Sequence, residues 1–254
     1  MWLHSLVPYR IRRCVCHHIF QHHKPMFMTN KNYLLSLRTP TPEQPLRLLM
    51  SACLTGITCG YDGSANGEYP SARWFINRPN VRVVTFCPEE YSFGAPREMC
   101  DIHGGTGADV LDGKARVLTE SGIDWSAGMI SAAHKMLEVA QREDVELAVM
   151  MDISAACGSQ VIYDGNRFGE DKKYQIGAGV SAALLMRHGI QVISQRDYAS
   201  LEIVYSKIDP LHQIDALKKD HSRNRLVQNL LSGDQLKQQR GVCIATCAAF
   251  ILYC

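Results

Sequence analysis

Residues 81–89 read Val-Arg-Val-Val-Thr-Phe-Cys-Pro-Glu. A β-branched run of this length favours a strand, because branched side chains fit a pleated surface and lose rotamers in a helix. Pro88 ends it, since a proline nitrogen has no hydrogen to give to a ladder. The strand thus delivers Cys87 to its carboxyl end.

The same arrangement recurs on either side. Leu48–Ala52 reads as a short buried strand entering a Gly-rich loop at Cys53. Glu146–Ile153 is an apolar strand that ends at Ser154-Ala-Ala-Cys-Gly158, and Gln191–Ser194 supplies one more strand. Between them lie helix patterns at 71–78, Ser126–Arg142, Gly179–His188 and Tyr198–Lys207. In Ser126–Arg142 the residues Met129, Ile130, Ala133, Leu137 and Ala140 recur at helical spacing. Gly189 is placed to close the third of these helices as a left-handed cap. The stretch from Cys87-Pro-Glu89 through His103-Gly-Gly-Thr-Gly107 reads as one long loop. Strands alternating with helices predict an α/β fold: a three-layer, mostly parallel, Rossmann-like sheet flanked by helices. Ligands of such sheets bind where the carboxyl ends of the strands collect. Cys53, Cys87 and Cys157 would meet there.

The body is expected to span 46–210 as one α/β domain. Residues 1–45 read as a basic, disordered extension ending in the linker Thr39-Pro-Thr-Pro-Glu-Gln-Pro45. The first 25 residues carry Arg but no acid, as a mitochondrial transit peptide would, or else Met26 or Met28 is the true start. Cys14-Val-Cys16-His-His has metal-like composition without a paired second half. Residues 211–254 form a C-terminal tail with no assigned role.

No run reaches the roughly 18 apolar residues that a membrane-spanning helix needs, which predicts a soluble, cytoplasmic protein without a membrane partner. The net charge of +2 conceals an uneven layout. No acid precedes Glu43, and setting aside the six basic residues of that stretch leaves 21 basic against 25 acidic residues. A body near −4 gives no electrostatic case for nucleic acid.

In a reducing compartment, cysteines at turn positions suggest metal or redox chemistry rather than disulfides. Equally, free cysteine often packs as a small core residue. Three dispersed thiols suit zinc, copper or an iron–sulfur cluster. Zinc sites usually draw on close cysteine pairs, and Cys53 and Cys59 are too far apart in sequence for one. Glu89 and Ser154 flank two of the thiols and are candidates for proton transfer and orientation. Asp62 and Asp152 are weaker candidates, His103-Gly-Gly-Thr-Gly107 reads as a tight turn, and His134 as a surface or boundary histidine.

Ser51-Ala-Cys-Leu-Thr-Gly56 with Tyr61-Asp-Gly63, then Cys87-Pro-Glu89, then Ser154-Ala-Ala-Cys-Gly158 with Ile162-Tyr-Asp-Gly165, resemble a bacterial family known as domain of unknown function 523. Its characterised branch is the thiouracil desulfidases, and the resemblance spans roughly 46–196. It implies a 4Fe-4S cluster on Cys53, Cys87 and Cys157, with an open iron that takes sulfur from a thiocarbonyl. The implied reaction turns a small thiolated substrate, 2-thiouracil or a relative, into the oxo product and hydrosulfide without redox turnover. The acid/base glutamate and serine would be Glu89 and Ser154. Two motifs depart from the family. Ser-Pro-Ser-Cys-Gly is Ser-Ala-Ala-Cys-Gly here, and Gly-Gly-Leu-Pro-Thr-Pro-Arg is Tyr91-Ser-Phe-Gly-Ala-Pro-Arg97, which alters the substrate wall. Cys59 and Cys100 stand as alternative ligands or neighbours. The rival readings are a non-catalytic zinc or iron–sulfur module, a sulfur carrier, and a plain nucleotide-binding domain.

Overall fold

The computed structural model describes residues 30–218 except 66, 166 and 169–171. The first 29 residues and 219–254, with the readings of Cys14, Cys16, Cys243, Cys247 and Cys254, lie outside the described residues. Four parallel strands form the central sheet: β1 (Leu46–Ser51), β2 (Val81–Phe86), β5 (Leu147–Met150) and β8 (Gln191–Ser194), in the order β2-β1-β5-β8. Leu46 pairs with Val81, Leu48 with Leu147, and Leu147 with Gln191. Every residue of β5 is buried, as is every residue of β1 except Arg47. Central parallel strands are apolar on both sides because helices cover both faces.

One face is covered by α1 (Lys31–Ser36), α2 (Pro70–Ile76) and α7 (Tyr198–Ile208), with Leu34, Phe75, Leu201 and Val204 packed on Leu48 and Val149. The other face carries α5 (Ser126–Arg142) and α6 (Val180–Arg187). There Met129, Ala133, Met136 and Ala140, one stripe of α5, pack with Leu185 against Leu49 and Ala148. The result is three layers, as the alternating pattern predicts. Among the described residues no helix is long and apolar enough to cross a membrane.

Two expectations need correction. The long loop after Cys87 is instead α3 (Pro88–Phe93), β3 (Cys100–His103), α4 (Gly107–Leu111) and β4 (Arg116–Thr119), with β3 and β4 antiparallel. Pro88 ends β2 and also opens α3 at its first turn, where a missing N–H costs nothing. His103-Gly-Gly-Thr-Gly107 follows a strand rather than a loop, and Thr106 with Asp109 forms a capping box for α4. A second small pair, β6 (Val161–Tyr163) with β7 (Tyr174–Ile176), also escapes the sequence pattern.

The second correction concerns residues 30–38, part of the stretch read as a disordered extension. It contains α1, whose Leu34 is fully buried, and Leu37 is buried beside it. Asn30 caps this helix by accepting from the Tyr33 N–H, while the Tyr33 hydroxyl donates to the Glu146 carbonyl at 2.6 Å. Arg38 pairs with Glu146 at 3.1 Å. The packed unit therefore begins before Leu46.

Candidate active site

The carboxyl ends of β1, β2 and β5 open onto one cavity of about 240 Å³. After β1 the chain makes one 3-10 turn, Ala52–Leu54, that carries Cys53. After β2, Cys87 caps α3, its sulfur accepting from the Glu90 N–H at 3.4 Å. Glu89 thereby sits in the first turn of α3, beside the thiol. After β5, the chain passes Met151 and Asp152 to Ile153, whose φ of 53° is left-handed. A β-branched side chain rarely adopts that conformation. It starts the tight turn from Ser154 to Gly158, where the Gly158 N–H returns to the Ser154 carbonyl at 2.9 Å.

The beginning of α6 holds that turn. The Val180 and Ser181 N–H groups donate to the carbonyls of Ala155 and Ala156 at 2.8 and 3.0 Å. Gly179 allows the approach, because a Cβ there would lie 2.6 Å from backbone atoms of Ser154 and Ala156. Cys157 is thus held, buried, against the cavity.

All five predicted residues line this cavity: Cys53, Cys87, Cys157, Glu89 and Ser154. Glu89 joins them electrically. Its Oε1 accepts from the Ser154 hydroxyl at 3.2 Å, and its Oε2 pairs with Arg97 at 2.9 Å. The Ser154 oxygen in turn accepts from the N–H groups of Ala156 and Cys157, at 3.2 and 3.0 Å. Cys59 and Cys100 line the cavity as well.

Of the weaker candidates, Asp152 lines the cavity but faces Arg196 at 3.6 Å, with its side chain fully buried. Asp62 is an exposed turn residue bonded to Ser64, which holds its carboxyl below the usual range. His134 is exposed on α5.

Burial dominates Cys53, Cys157 and Cys100. It pushes Cys53 up to about 12, with the charges of Cys87 and Glu89 adding to the rise. Cys157 is raised well above the ordinary thiol value, first by burial and then by Cys53. Cys100 is raised by burial and by Glu89. The Cys87 thiol donates to the Cys59 carbonyl at 4.0 Å, and the two neighbouring thiols shift in opposite directions, Cys59 raised by its interaction with Cys87 and Cys87 lowered by Cys59. The sulfurs of Cys53, Cys100 and Cys157 are costly to ionise alone, and a cationic metal centre holds such thiols as thiolates.

Among the described residues, no three His, Cys, Asp or Glu side chains close on a single point as one metal ion requires. Three thiols on separate segments around an open cavity suit a group of several atoms, and an iron–sulfur cluster with three protein ligands fits this donor set.

The 2-thiouracil desulfurase family model matches residues 48–197, a span holding all five cavity cysteines. The chain belongs to the 2-thiouracil desulfurase family. A family relative in Bacillus subtilis (strain 168), the uncharacterized protein YbbK, is 38% identical over 151 residues, 59% of this chain and 96% of YbbK. A solved structure, the 4Fe-4S-dependent thiouracil desulfidase TudS, aligns with a TM-score of 0.52 at 30% identity. That alignment covers 64% of this chain and 99% of TudS.

In this member of the desulfurase family two arginines at the cavity escaped sequence reading. Arg167 grips Asp101 through both guanidinium nitrogens, at 2.9 and 2.5 Å, and also donates to the Cys100 carbonyl at 2.9 Å. Its guanidinium lies 4.5 Å over the Tyr163 ring. Arg97 reaches the Cys59 carbonyl, at 3.1 Å, as well as Glu89. Neither stands in a run or spacing that marks a function. Arg97 alone had a signal, as the last residue of a family motif.

Proposed function

We propose that this protein is an iron–sulfur-dependent desulfidase that hydrolyses the C=S bond of a small thiocarbonyl compound such as 2-thiouracil. Water and thiocarbonyl give carbonyl and hydrosulfide, with no change in oxidation state. The observation that carries this reading is the Ser154–Glu89 hydrogen bond on the cavity that Cys53, Cys87 and Cys157 line. Those three thiols would hold a 4Fe-4S cluster, which when bound supplies an open iron, a Lewis acid with affinity for sulfur.

The protein's own groups then manage protons and position. Glu89 Oε1 receives a proton from the attacking water and returns it to the departing sulfur. Ser154 Oγ, oriented by the N–H groups of Ala156 and Cys157, donates to that carboxylate. Phe86, Met99 and Met151 give the cavity apolar walls suited to a flat ring and hostile to bulk water. A sulfur store would need neither the carboxylate nor the hydroxyl. Thiols that must stay reduced suit the cytoplasm.

The test is anaerobic turnover of 2-thiouracil by cluster-loaded protein. Uracil and hydrosulfide should appear in equal amounts, and Glu89→Gln should lower kcat by about 10²–10⁴-fold with iron content unchanged. Absence of hydrosulfide, or a Glu89→Gln variant as fast as wild type, would overturn the reading.

A further inference from the structure

We propose that Arg97 is the positioning residue of this site, clamping the loop that carries Cys59 to the Glu89 carboxylate and so fixing both. The kinetic part of this inference rests on the desulfidase reading above; the structural part stands without it.

The Arg97 side chain is 4% exposed. A charge taken that far from water is stable only when its donors are met. Here they are met from three directions. Nη1 donates to the carbonyls of Cys59, Gly60 and Gly94 at 3.1, 3.4 and 3.0 Å, and Nη2 donates to Glu89 Oε2 at 2.9 Å. The Arg97 backbone N–H adds a bond to the Tyr61 carbonyl at 2.6 Å. One guanidinium therefore joins the Cys59 loop, the end of α3 and the carboxylate in the first turn of α3. A planar fork with five donors spans such acceptors, whereas a lysine ammonium concentrates three donors at one point.

Glu89 has few other restraints. Its side chain is 26% exposed, and among the described residues its polar partner beyond Arg97 is Ser154. A carboxylate held only by a serine 3.2 Å away would sample several rotamers, and a proton-transfer group out of place by an ångström loses much of its rate. On the other side of the clamp, Cys59 is 1% exposed and its carbonyl also accepts from the Cys87 thiol at 4.0 Å. Arg97 thus acts through Glu89 on the chemistry and through the Cys59 carbonyl on the pocket of sulfurs.

The test compares wild type, Arg97→Lys, Arg97→Gln, Glu89→Gln and the double variant. The first readout is iodoacetamide labelling of the cluster-free chain, followed cysteine by cysteine by mass spectrometry. Arg97→Gln should speed labelling of Cys59 about tenfold, through local opening of its loop. Cys100, held by the β3–β4 ladder, should label at the wild-type rate, and Arg97→Lys should fall between. An unchanged Cys59 rate, or equal acceleration of Cys59 and Cys100, would overturn the clamp.

The second readout is kcat and KM for 2-thiouracil with the loaded proteins. Arg97→Gln should lower kcat about tenfold at constant KM, and should have no further effect once Glu89 is Gln. Multiplying losses would mean that Arg97 does not work through Glu89. If wild type releases no hydrosulfide, the desulfidase reading falls while the labelling still decides the clamp.

Discussion

The apolar face shared by β1, α2 and α7 and the edge where β1, β2 and β5 end come from the same strands under opposite rules. Behind the sheet, Leu48, Phe75 and Val204 are fully buried and meet apolar neighbours. At the edge stand buried and half-buried thiols, a carboxylate–guanidinium pair and, at Ile153, a branched residue in a left-handed conformation. Each of those choices costs stability that an apolar, unstrained residue would not. The difference teaches that the face holds the fold and the edge is held by it. Substitutions in the two regions should separate stability from chemistry.

The largest effect on that separation should come from Phe75→Ala. Filling no part of a fully buried site, it should cost about 3–5 kcal/mol in urea denaturation, while protein that remains folded keeps its wild-type kcat. A folded variant with altered kcat would break the division.

Ser154→Ala is expected to do the reverse. It removes the hydroxyl that two backbone N–H groups and Glu89 share, so kcat should fall about tenfold for about 1 kcal/mol of stability. Ile153→Gly is the smallest and most discriminating change. Relief of the left-handed strain should offset the added chain entropy to within about 1 kcal/mol, so the melting midpoint should hardly move. A loss of core size there would show that the Ile153 side chain, not its backbone, is what the site needs.

The same contrast governs what could be read from the chain. Val81–Phe86, Ser126–Arg142 and Gln191–Ser194 lie where the pattern puts them, because β-branched residues mark the two strands and the helix buries a regular stripe of side chains. β3, β4, β6 and β7, of three or four residues apiece, form two antiparallel pairs outside the central sheet, where the alternation of parallel strands and helices gives no guide. α1 was hidden by the proline-rich stretch after it, although Leu34 was the clue. Cys53, Cys87 and Cys157 were legible as neighbours because parallel strands gather their carboxyl ends. Glu89 and Ser154 were legible as their flanking residues. Arg97 was not legible from pattern, since the Cys59 carbonyl it holds is 38 positions away and is a main-chain atom that leaves no mark in sequence.

The central claim, that the three thiols hold a cluster, is tested most directly by purifying the protein without oxygen and measuring its absorption, iron, sulfide and zinc. The account predicts a brown protein with a broad band near about 400 nm and about four iron and four sulfide per chain, all lost on Cys87→Ala. A colourless protein that takes up no iron on anaerobic reconstitution would contradict it.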